Sequence, residues 1–339
     1  MLLYSKLYYS FLHVSCLKLL VLLQKLRYNE IVDSWSVGKL VREILKITKV
    51  VMGLFKQDFT TRQYMVTPDY EFFHYKDKTT TEVEYHNHDF YEIYFFISGK
   101  VTYVIEGKSY KLEPGDILLI TNNQLHKPII APTDFYQRIV LWVNPAFLEK
   151  HSDAKTNLSM CFEAWADKKY NLLRPYPEIR AHMMHIVSKF ESACNSISFG
   201  NNILKEIYLL EILIYLNKAF IETFENNIEI DITHNEKIDK VIEYINQNLE
   251  KELSLDLLSS VFYLSKYHLL REFKKYTGYT IHKYIQQKRL IFAKSLLKKG
   301  FQVTQVCEKC GYQDYANFIR SFKKSFGISP KKYGKNLIE

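Results

Sequence analysis

His86 and His88 stand two residues apart in the stretch Tyr85–Gly99, YHNHDFYEIYFFISG, and Glu92 follows four residues later. Side chains alternate along an extended chain, so the two imidazoles share one face of a strand. A carboxylate from a neighbouring turn or strand can then meet them inside a small barrel. Neutral imidazoles and carboxylates are ligands for transition metals. A metal with an open coordination position would support oxygen, hydrolytic or isomerase chemistry. Without a metal, the same polar groups would line an effector pocket. Tyr91, Tyr94, Tyr103 and Trp142 are candidate walls, because aromatic faces suit sugar rings, and in a barrel they serve equally as core. Cys307 and Cys310 form a CxxC within VTQVCEKCGY. No second cysteine pair or nearby histidine completes a zinc set, and the helical pattern around them makes them packing residues.

A second constellation is written twice. REFKKYTGYTIHKYI (Arg271–Ile285) and RSFKKSFGISPKKYG (Arg320–Gly334) align in one register, 49 residues apart. Arg271 matches Arg320, Phe273 matches Phe322, Lys274 and Lys275 match Lys323 and Lys324, and Gly278 matches Gly327. Two copies are too few for a solenoid and imply two similar small modules side by side. In the first, Leu269 and Phe273 lie four apart on one buried helix face, leaving Tyr267, Leu270, Arg271 and Lys274 outside. In the second, Phe318 and Phe322 face inward, and Tyr315, Ala316, Ile319, Arg320 and Lys323 face outward. A helix with an Arg-bearing outer face suits the major groove, where Arg pairs with guanine and Lys near the helix end meets phosphate. The helix expected at Ile281–Lys298 is about 27 Å long at 1.5 Å per residue. Successive major-groove faces on one side of DNA lie about 34 Å apart, so such a rod holds two readers roughly one turn apart.

Those groups need a scaffold. The 339 residues, 47% hydrophobic and 24% charged, suit two or three globular domains. The net charge of +9 is uneven. Residues 231–339 carry 20 Lys and Arg against 11 Asp and Glu, residues 59–230 carry 17 against 22, and residues 1–58 carry 9 against 4. A basic module beside an acidic one fits a polyanionic partner for the first alone. From Phe59 to Trp142 the pattern has period two, with short strands at Phe90–Ile97, Lys100–Glu106, Lys108–Leu112 and Asp116–Thr121, which points to a β-sandwich or barrel. From Tyr176 to Phe224 it is helical. Ile203, Ile207, Leu210, Ile214 and Leu216–Phe220 make an apolar face broad enough to pack on the barrel or to form a homodimer. Glu222–Lys237 is polar and aperiodic, as a linker is. Helices are then expected near Lys237–Asn248, Ser254–Val261, Ser265–Tyr276, Ile281–Lys298, Val303–Cys310, Tyr315–Phe326 and Pro330–Tyr333. Ser254 and Ser265 are N-caps, and Gly278 and Gly327 are αL terminators.

Five cysteines, few and odd in number, argue against a disulfide framework and fit a reducing cytoplasm. The apolar stretch Phe11–Leu23 is interrupted by Lys18 and is shorter than the ~20 residues a membrane span needs. No small-residue cleavage site follows it cleanly, and an interfacial amphipathic helix is the other reading. No membrane partner is expected. A plainer account is that translation normally starts at Met52, upstream residues 1–51 being outside the working protein.

The segment GYQDYANFIRSFKKSFGISPKKY (Gly311–Tyr333) resembles the signature of AraC-type transcription regulators. LSLDLLSSVFYLSKYHLLREFKKYTGYTIHKYIQQKRLIFAKSLL is similar to that family's first helix-turn-helix and linker helix. The resemblance covers about Ile238–Tyr333. It implies two helix-turn-helix units that bind double-stranded promoter DNA through Tyr267, Leu270, Arg271 and Lys274 in the first. In the second it implies Tyr315, Ala316, Asn317, Ile319, Arg320 and Lys323, a set poorer in polar groups. It further implies a small-molecule effector, commonly a sugar, and an activator that works with RNA polymerase. The stretch around Tyr85–Gly99, with GDILLITNNQLH (Gly115–His126), resembles the cupin fold. Thr121 stands where Pro is usual there, Asn123 where Gly is usual, and Ile130 where Asn is usual, whereas His126 is kept. That resemblance makes His86, His88, Glu92 and His126 the ligand set for a divalent metal such as Fe, Mn, Ni or Zn, or else effector-binding groups.

The expected architecture is a multidomain α+β chain. Residues 1–58 are an extension of uncertain role, 59–175 a cupin-like β-barrel, 176–224 a helical hairpin for packing or dimerisation, 225–236 a linker, and 237–339 an all-α double helix-turn-helix. The expected function is a cytoplasmic, effector-controlled transcription regulator, not an enzyme. The alternative is a metal-dependent cupin enzyme or metal sensor fused to a DNA-binding module.

Overall fold

Period-two alternation sorts one strand between two cores. In Tyr91–Ser98, Tyr94 and Phe96 enter a cluster with Tyr103, Ile105, Tyr110, Leu118, Ile120 and Trp142. Ile93 and Phe95 turn the other way and join Phe147, Met183, Phe190, Leu213 and Leu216. The computed structural model describes residues 64–77, 83–131, 135–163, 170–225 and 232–335. The readings made of residues 1–58, including the stretch at 11–23 and the start at 52, lie outside the described residues. Residues 61–339 form one of the chain's two compact units.

The amino-terminal half of the described chain is a pair of antiparallel sheets. The strands are β1 (Tyr70–Asp77), β2 (Tyr91–Ser98), β3 (Val101–Ile105), β4 (Lys108–Lys111), β5 (Ile117–Ile120), β6 (His126–Ile130), β7 (Tyr136–Val143), β8 (Leu172–Leu173) and β9 (Ile232–Thr233). One sheet runs β1-β7-β2-β5-β8 and the other β6-β3-β4-β9. The space between them is filled by the Tyr94–Trp142 cluster, as in a small barrel. The outer face of the first sheet is covered by helices α1 (Pro145–Lys150), α2 (Pro177–Cys194) and α3 (Asn201–Glu225). The strands expected from the sequence fall within a residue or two of β2 to β5. The stretch read as a linker at 225–236 differs: Ile232 and Thr233 pair with Tyr110 and Ser109, extending the second sheet. Two residues of β-pairing carry too little periodicity to stand out in a polar segment.

The hairpin of α2 and α3 buries Leu209, Ile212, Leu213, Leu216 and Phe220 against the sheet. Ile203, Ile207, Ile214 and Ile221 remain exposed along α3. With Leu210, half buried, they follow the three-and-four spacing of a heptad seam.

The carboxy-terminal part is helical: α4 (Glu236–Gln247), α5 (Leu255–Val261), α6 (Lys266–Thr277), α7 (Ile281–Lys298), α8 (Val303–Lys309), α9 (Tyr315–Phe326) and α10 (Pro330–Lys335). Ser254 Oγ accepts from Leu257 N at 3.2 Å and Ser265 Oγ from His268 N at 3.3 Å, so both serines cap as expected. Asp314 caps α9 by accepting from Asn317 N at 2.6 Å. Gly278 and Gly327 close α6 and α9 with φ of 72° and 75°, values that L-residues adopt only with strain. Leu269 and Phe273 sit in one core and Phe318 and Phe322 in another. The rod α7 belongs to both, giving Ile281, Tyr284 and Ile285 to the first and Leu290, Ala293 and Leu297 to the second. No helix among the described residues is long and apolar enough to cross a membrane.

Candidate effector site and nucleic-acid interface

Three of the four singled-out site residues converge in the barrel. His88, Glu92 and His126 are buried, and one donor atom from each lies within 4.8 Å of the others. Glu92 projects inward from β2, in step with Tyr94 and Phe96. His126 opens β6 and forms an antiparallel bridge with His86, through His86 N to His126 O at 3.1 Å and His126 N to His86 O at 3.0 Å. That bridge brings the imidazole rings of His86 and His126 to 4.3 Å, but His86 stays outside the triplet.

Backbone carbonyls fix the tautomers. His88 Nδ1 lies 2.8 Å from Phe90 O, His126 Nδ1 3.0 Å from Gln124 O, and His86 Nδ1 3.0 Å from Glu84 O. A carbonyl can only accept, so each Nδ1 carries a proton and each Nε2 is the atom left to face the site. The Nε2 atoms of His88 and His126 are buried without a hydrogen-bond partner. His88 Nε2 stands 3.5 Å from Glu92 Oε2, within ion-pair reach but beyond a good hydrogen bond. Glu92 also accepts from Trp142 Nε1 at 2.9 Å and from Tyr103 OH at 3.4 Å. Burial opposes its ionisation, yet the His88 imidazole beside it, with those of His126 and His86, holds its pKa down to about 2. Burial pushes His126 well below the ordinary imidazole range, and His86 and His88 push it further. A neutral imidazole with a bare, buried nitrogen beside an ionised carboxylate is a donor set that fits a divalent metal.

Beyond Glu92 the barrel interior stays polar. The Tyr94 and Tyr136 hydroxyls bond each other. The Arg138 guanidinium lies 4.1 Å over the Tyr136 ring and 4.6 Å over Tyr75, and Nη1 donates to Asp77 at 2.6 Å. Of the four candidate walls, Tyr94, Tyr103 and Trp142 face this interior. Tyr91 does not: it stacks on Phe162 at 4.5 Å in the layer beneath the helices, because odd positions of β2 point out of the barrel.

The repeated segments place their outward residues on the surface. Tyr267, Leu270, Arg271 and Lys274 are exposed on α6, as are Tyr315, Ala316, Asn317, Arg320 and Lys323 on α9. Ile319 is the exception in the carried-over set, half buried against the second core. Cys307 and Cys310 are free and pack in that same core.

The sequence reading missed two acid–base clamps that join barrel to helices. Asp89, next to His88, accepts from Lys294 Nζ and, at 2.9 Å, from Tyr333 OH, with Lys298 Nζ 3.5 Å away. Glu106, at the turn between β3 and β4, takes Lys288 Nζ at 3.0 Å, the Tyr284 hydroxyl and, within the barrel, Leu125 N at 2.7 Å. Burial works against the Asp89 carboxylate, but Lys294, Lys298 and Tyr333 together hold its pKa below the usual range. Two buried lysines on an otherwise apolar helix face, Lys288 and Lys294, were the available signal. Buried ammonium groups demand partners.

Comparison with known proteins gives the same two parts. Residues 70–213 match the family model of the AraC-like ligand binding domain, and residues 258–336 match a helix-turn-helix domain. The probable transcriptional regulator LumQ of Photobacterium leiognathi is 27% identical over 258 residues, covering 76% of this chain and 93% of that protein. The HTH-type transcriptional activator RhaS of Salmonella schwarzengrund is 24% identical over 258 residues, covering 75% and 88%. Among solved structures, ToxT from Vibrio cholerae aligns over 80% of this chain and 100% of its own, with 14% identity and a TM-score of 0.33.

Proposed function

The chain belongs to the AraC-type transcription regulators, DNA-binding proteins with a ligand-binding domain and not enzymes, and from that premise we propose a sequence-specific activator governed by a small effector, such as a sugar, in its barrel. The carrying observation is the exposure of Arg271 and Arg320 at matching positions of two capped helices, anchored on separate cores but joined by one rod. Arg at such a place reads guanine in the major groove, and Lys274 and Lys323 one turn later meet phosphate. RNA polymerase is the partner such an activator engages at a promoter. The exposed isoleucines of α3 would serve a homodimer. Effector binding acts by linkage: the ligand stabilises one arrangement of barrel and helices, which changes the DNA sites the two readers span.

The test begins with selection of a binding site from random duplexes by the full chain. On that site Arg271→Ala and Arg320→Ala are each expected to lose about 1–3 kcal/mol, roughly 5- to 150-fold, with affinity for random DNA unchanged. An equal loss on random DNA would make both arginines phosphate anchors and sink the sequence-reading role.

A second reading, in which a divalent metal is itself the effector, is favoured by the bare Nε2 atoms of His88 and His126. These two residues and Glu92 would hold the ion, which would supply a Lewis-acidic centre for oxygen groups of an organic ligand. Full-length protein prepared without a metal-binding tag should then carry near-stoichiometric metal that His126→Ala loses. Metal-free wild type after reconstitution rejects this reading and leaves the organic effector.

A further inference from the structure

The two repeats offer the barrel the same handle. Tyr284 and Tyr333 occupy equivalent positions, 49 residues apart in the shared register. Each hydroxyl donates to a carboxylate of the barrel, Tyr284 to Glu106 and Tyr333 to Asp89 at 2.9 Å. Each ring packs edge-on against the core anchor of a reader helix, Tyr284 on Phe273 of α6 at 5.4 Å and Tyr333 on Phe322 of α9 at 5.7 Å. Resting on the reading of this chain as a two-reader DNA-binding protein, we infer that the barrel is a brace across both helix-turn-helix modules. Glu106 and Asp89 are its positioning residues, and they fix the half-site spacing that the chain accepts on DNA.

The modules themselves leave that spacing loosely held. On the reader side they are parted by a cleft of about 880 Å³, with Leu270 of α6 on one wall and Asn317 of α9 on the other. Beside the cleft, Gly311 comes so near the first module that a Cβ there would lie 2.5 Å from Leu249 O, a contact with no side chain to lock it. The rod α7 turns His282, Ile285, Gln286 and Arg289 to the cleft. At about 100° per residue, Tyr284, Lys288, Lys294 and Lys298 lie on its opposite side, where the barrel holds them. A brace on the back of the rod, tied to both modules, stops one reader from tilting against the other. Arg271 and Arg320 stay exposed in this arrangement, so the brace is compatible with bound DNA.

Both arms are built to hold position. Glu106 has φ of 48°, a left-handed conformation that is costly for an L-residue. The next residue, Gly107, is wedged so closely that a Cβ would lie 2.9 Å from Ile242 of α4 and 3.3 Å from Thr277 at the end of α6. Each carboxylate also takes a buried lysine of α7, Lys288 for Glu106 and Lys294 for Asp89, and such charge-assisted bonds are the strong kind. The arms start beside the buried triplet. Asp89 follows His88, and Leu125, bonded both ways to Glu106, precedes His126.

The experiment starts from the site that the full chain selects out of random duplexes. One base pair is inserted or deleted between the segments read by the two helices, which moves one half-site by about 3.4 Å and turns it by about 34–36°. Wild type is expected to bind each altered duplex about tenfold or more weakly, a loss comparable to that of one reader's base contact. Asp89→Ala and Glu106→Ala cut the brace at opposite ends, so either one reports if the other does not fold. Each should bind the selected site more weakly, with a spacing penalty at least about threefold smaller than that of wild type. Asp116→Asn breaks an ion pair to Arg174 at 2.8 Å that touches neither module, and should keep the wild-type penalty. An unchanged penalty in folded Asp89→Ala or Glu106→Ala overturns the inference and leaves the DNA-binding reading standing. So does a wild type that tolerates both altered duplexes, or an equal fall in Asp116→Asn. A chain that selects no site overturns that reading and the inference together.

Discussion

Replacing Asp89 by Asn cuts the clamp that holds α7 against the barrel. Removing one member of a fully buried ion pair costs about 3–5 kcal/mol, because the other charge is left without compensation. Here the Lys294 side chain is 8% exposed but Asp89 is 28% exposed, so water reaches the acid and part of that cost is recovered. Lys298, more exposed, adds little. Tyr333 keeps a hydrogen bond to the Asn oxygen. The expected cost is therefore about 2–3 kcal/mol, a roughly 30- to 150-fold shift toward arrangements in which the helices leave the barrel. Hydrogen exchange reports it directly: amides of α7 and α10 should lose protection while those of β2 and β7 keep theirs. Lys294→Met provides the cycle, and the double variant should be less destabilised than the sum of the singles by about 1–2 kcal/mol. Additivity within about 0.5 kcal/mol would show that Asp89 and Lys294 do not depend on each other, and the clamp argument would fail.

Two further outcomes follow from geometry. Tyr263, 95% exposed in the turn of the first helix-turn-helix, has φ of 53°, which costs an L-residue about 1–2 kcal/mol, whereas Gly loses about 0.5–1 kcal/mol in chain entropy. Tyr263→Gly is expected to stabilise by about 0.5–1 kcal/mol and raise Tm by about 1–3 °C; a fall in Tm would mean the ring makes a contact that matters. Ile207 and Ile214, 49% and 40% exposed, occupy the α3 seam. Ile207→Lys with Ile214→Lys should turn a homodimer into a monomer in sedimentation analysis without lowering Tm, and an unchanged mass would reject the seam as the interface.

Much of the helical half was legible residue by residue. Capping serines, αL glycines and an apolar spacing of four are local rules, and Ser254, Ser265, Gly278 and Gly327 obey them. The doubled register exposed the two modules without any knowledge of their packing. The barrel was legible in part: alternation located β2 to β5, and the histidine spacing marked the site. Which way each strand faces was a different matter. Tyr91 and Tyr94 are both aromatic residues on one strand, and only the layers on either side decide that one packs under a helix and the other enters the barrel. His86 and His88 share a face by spacing, yet the bridge to His126 leaves His86 outside the triplet that holds His88.

The sequence alone determined what depends on neighbours along the chain: helix ends, the repeat, the basic and acidic partition, and the identity of the chemical groups. Tertiary structure alone decided what depends on distance across it. Asp89 and Lys294 are 205 residues apart, Glu106 and Lys288 182 apart, and no local periodicity encodes either pairing. A buried lysine announces that it needs a partner, because an unpaired ammonium in an apolar setting is costly. Which carboxylate answers is fixed only when barrel and helices meet.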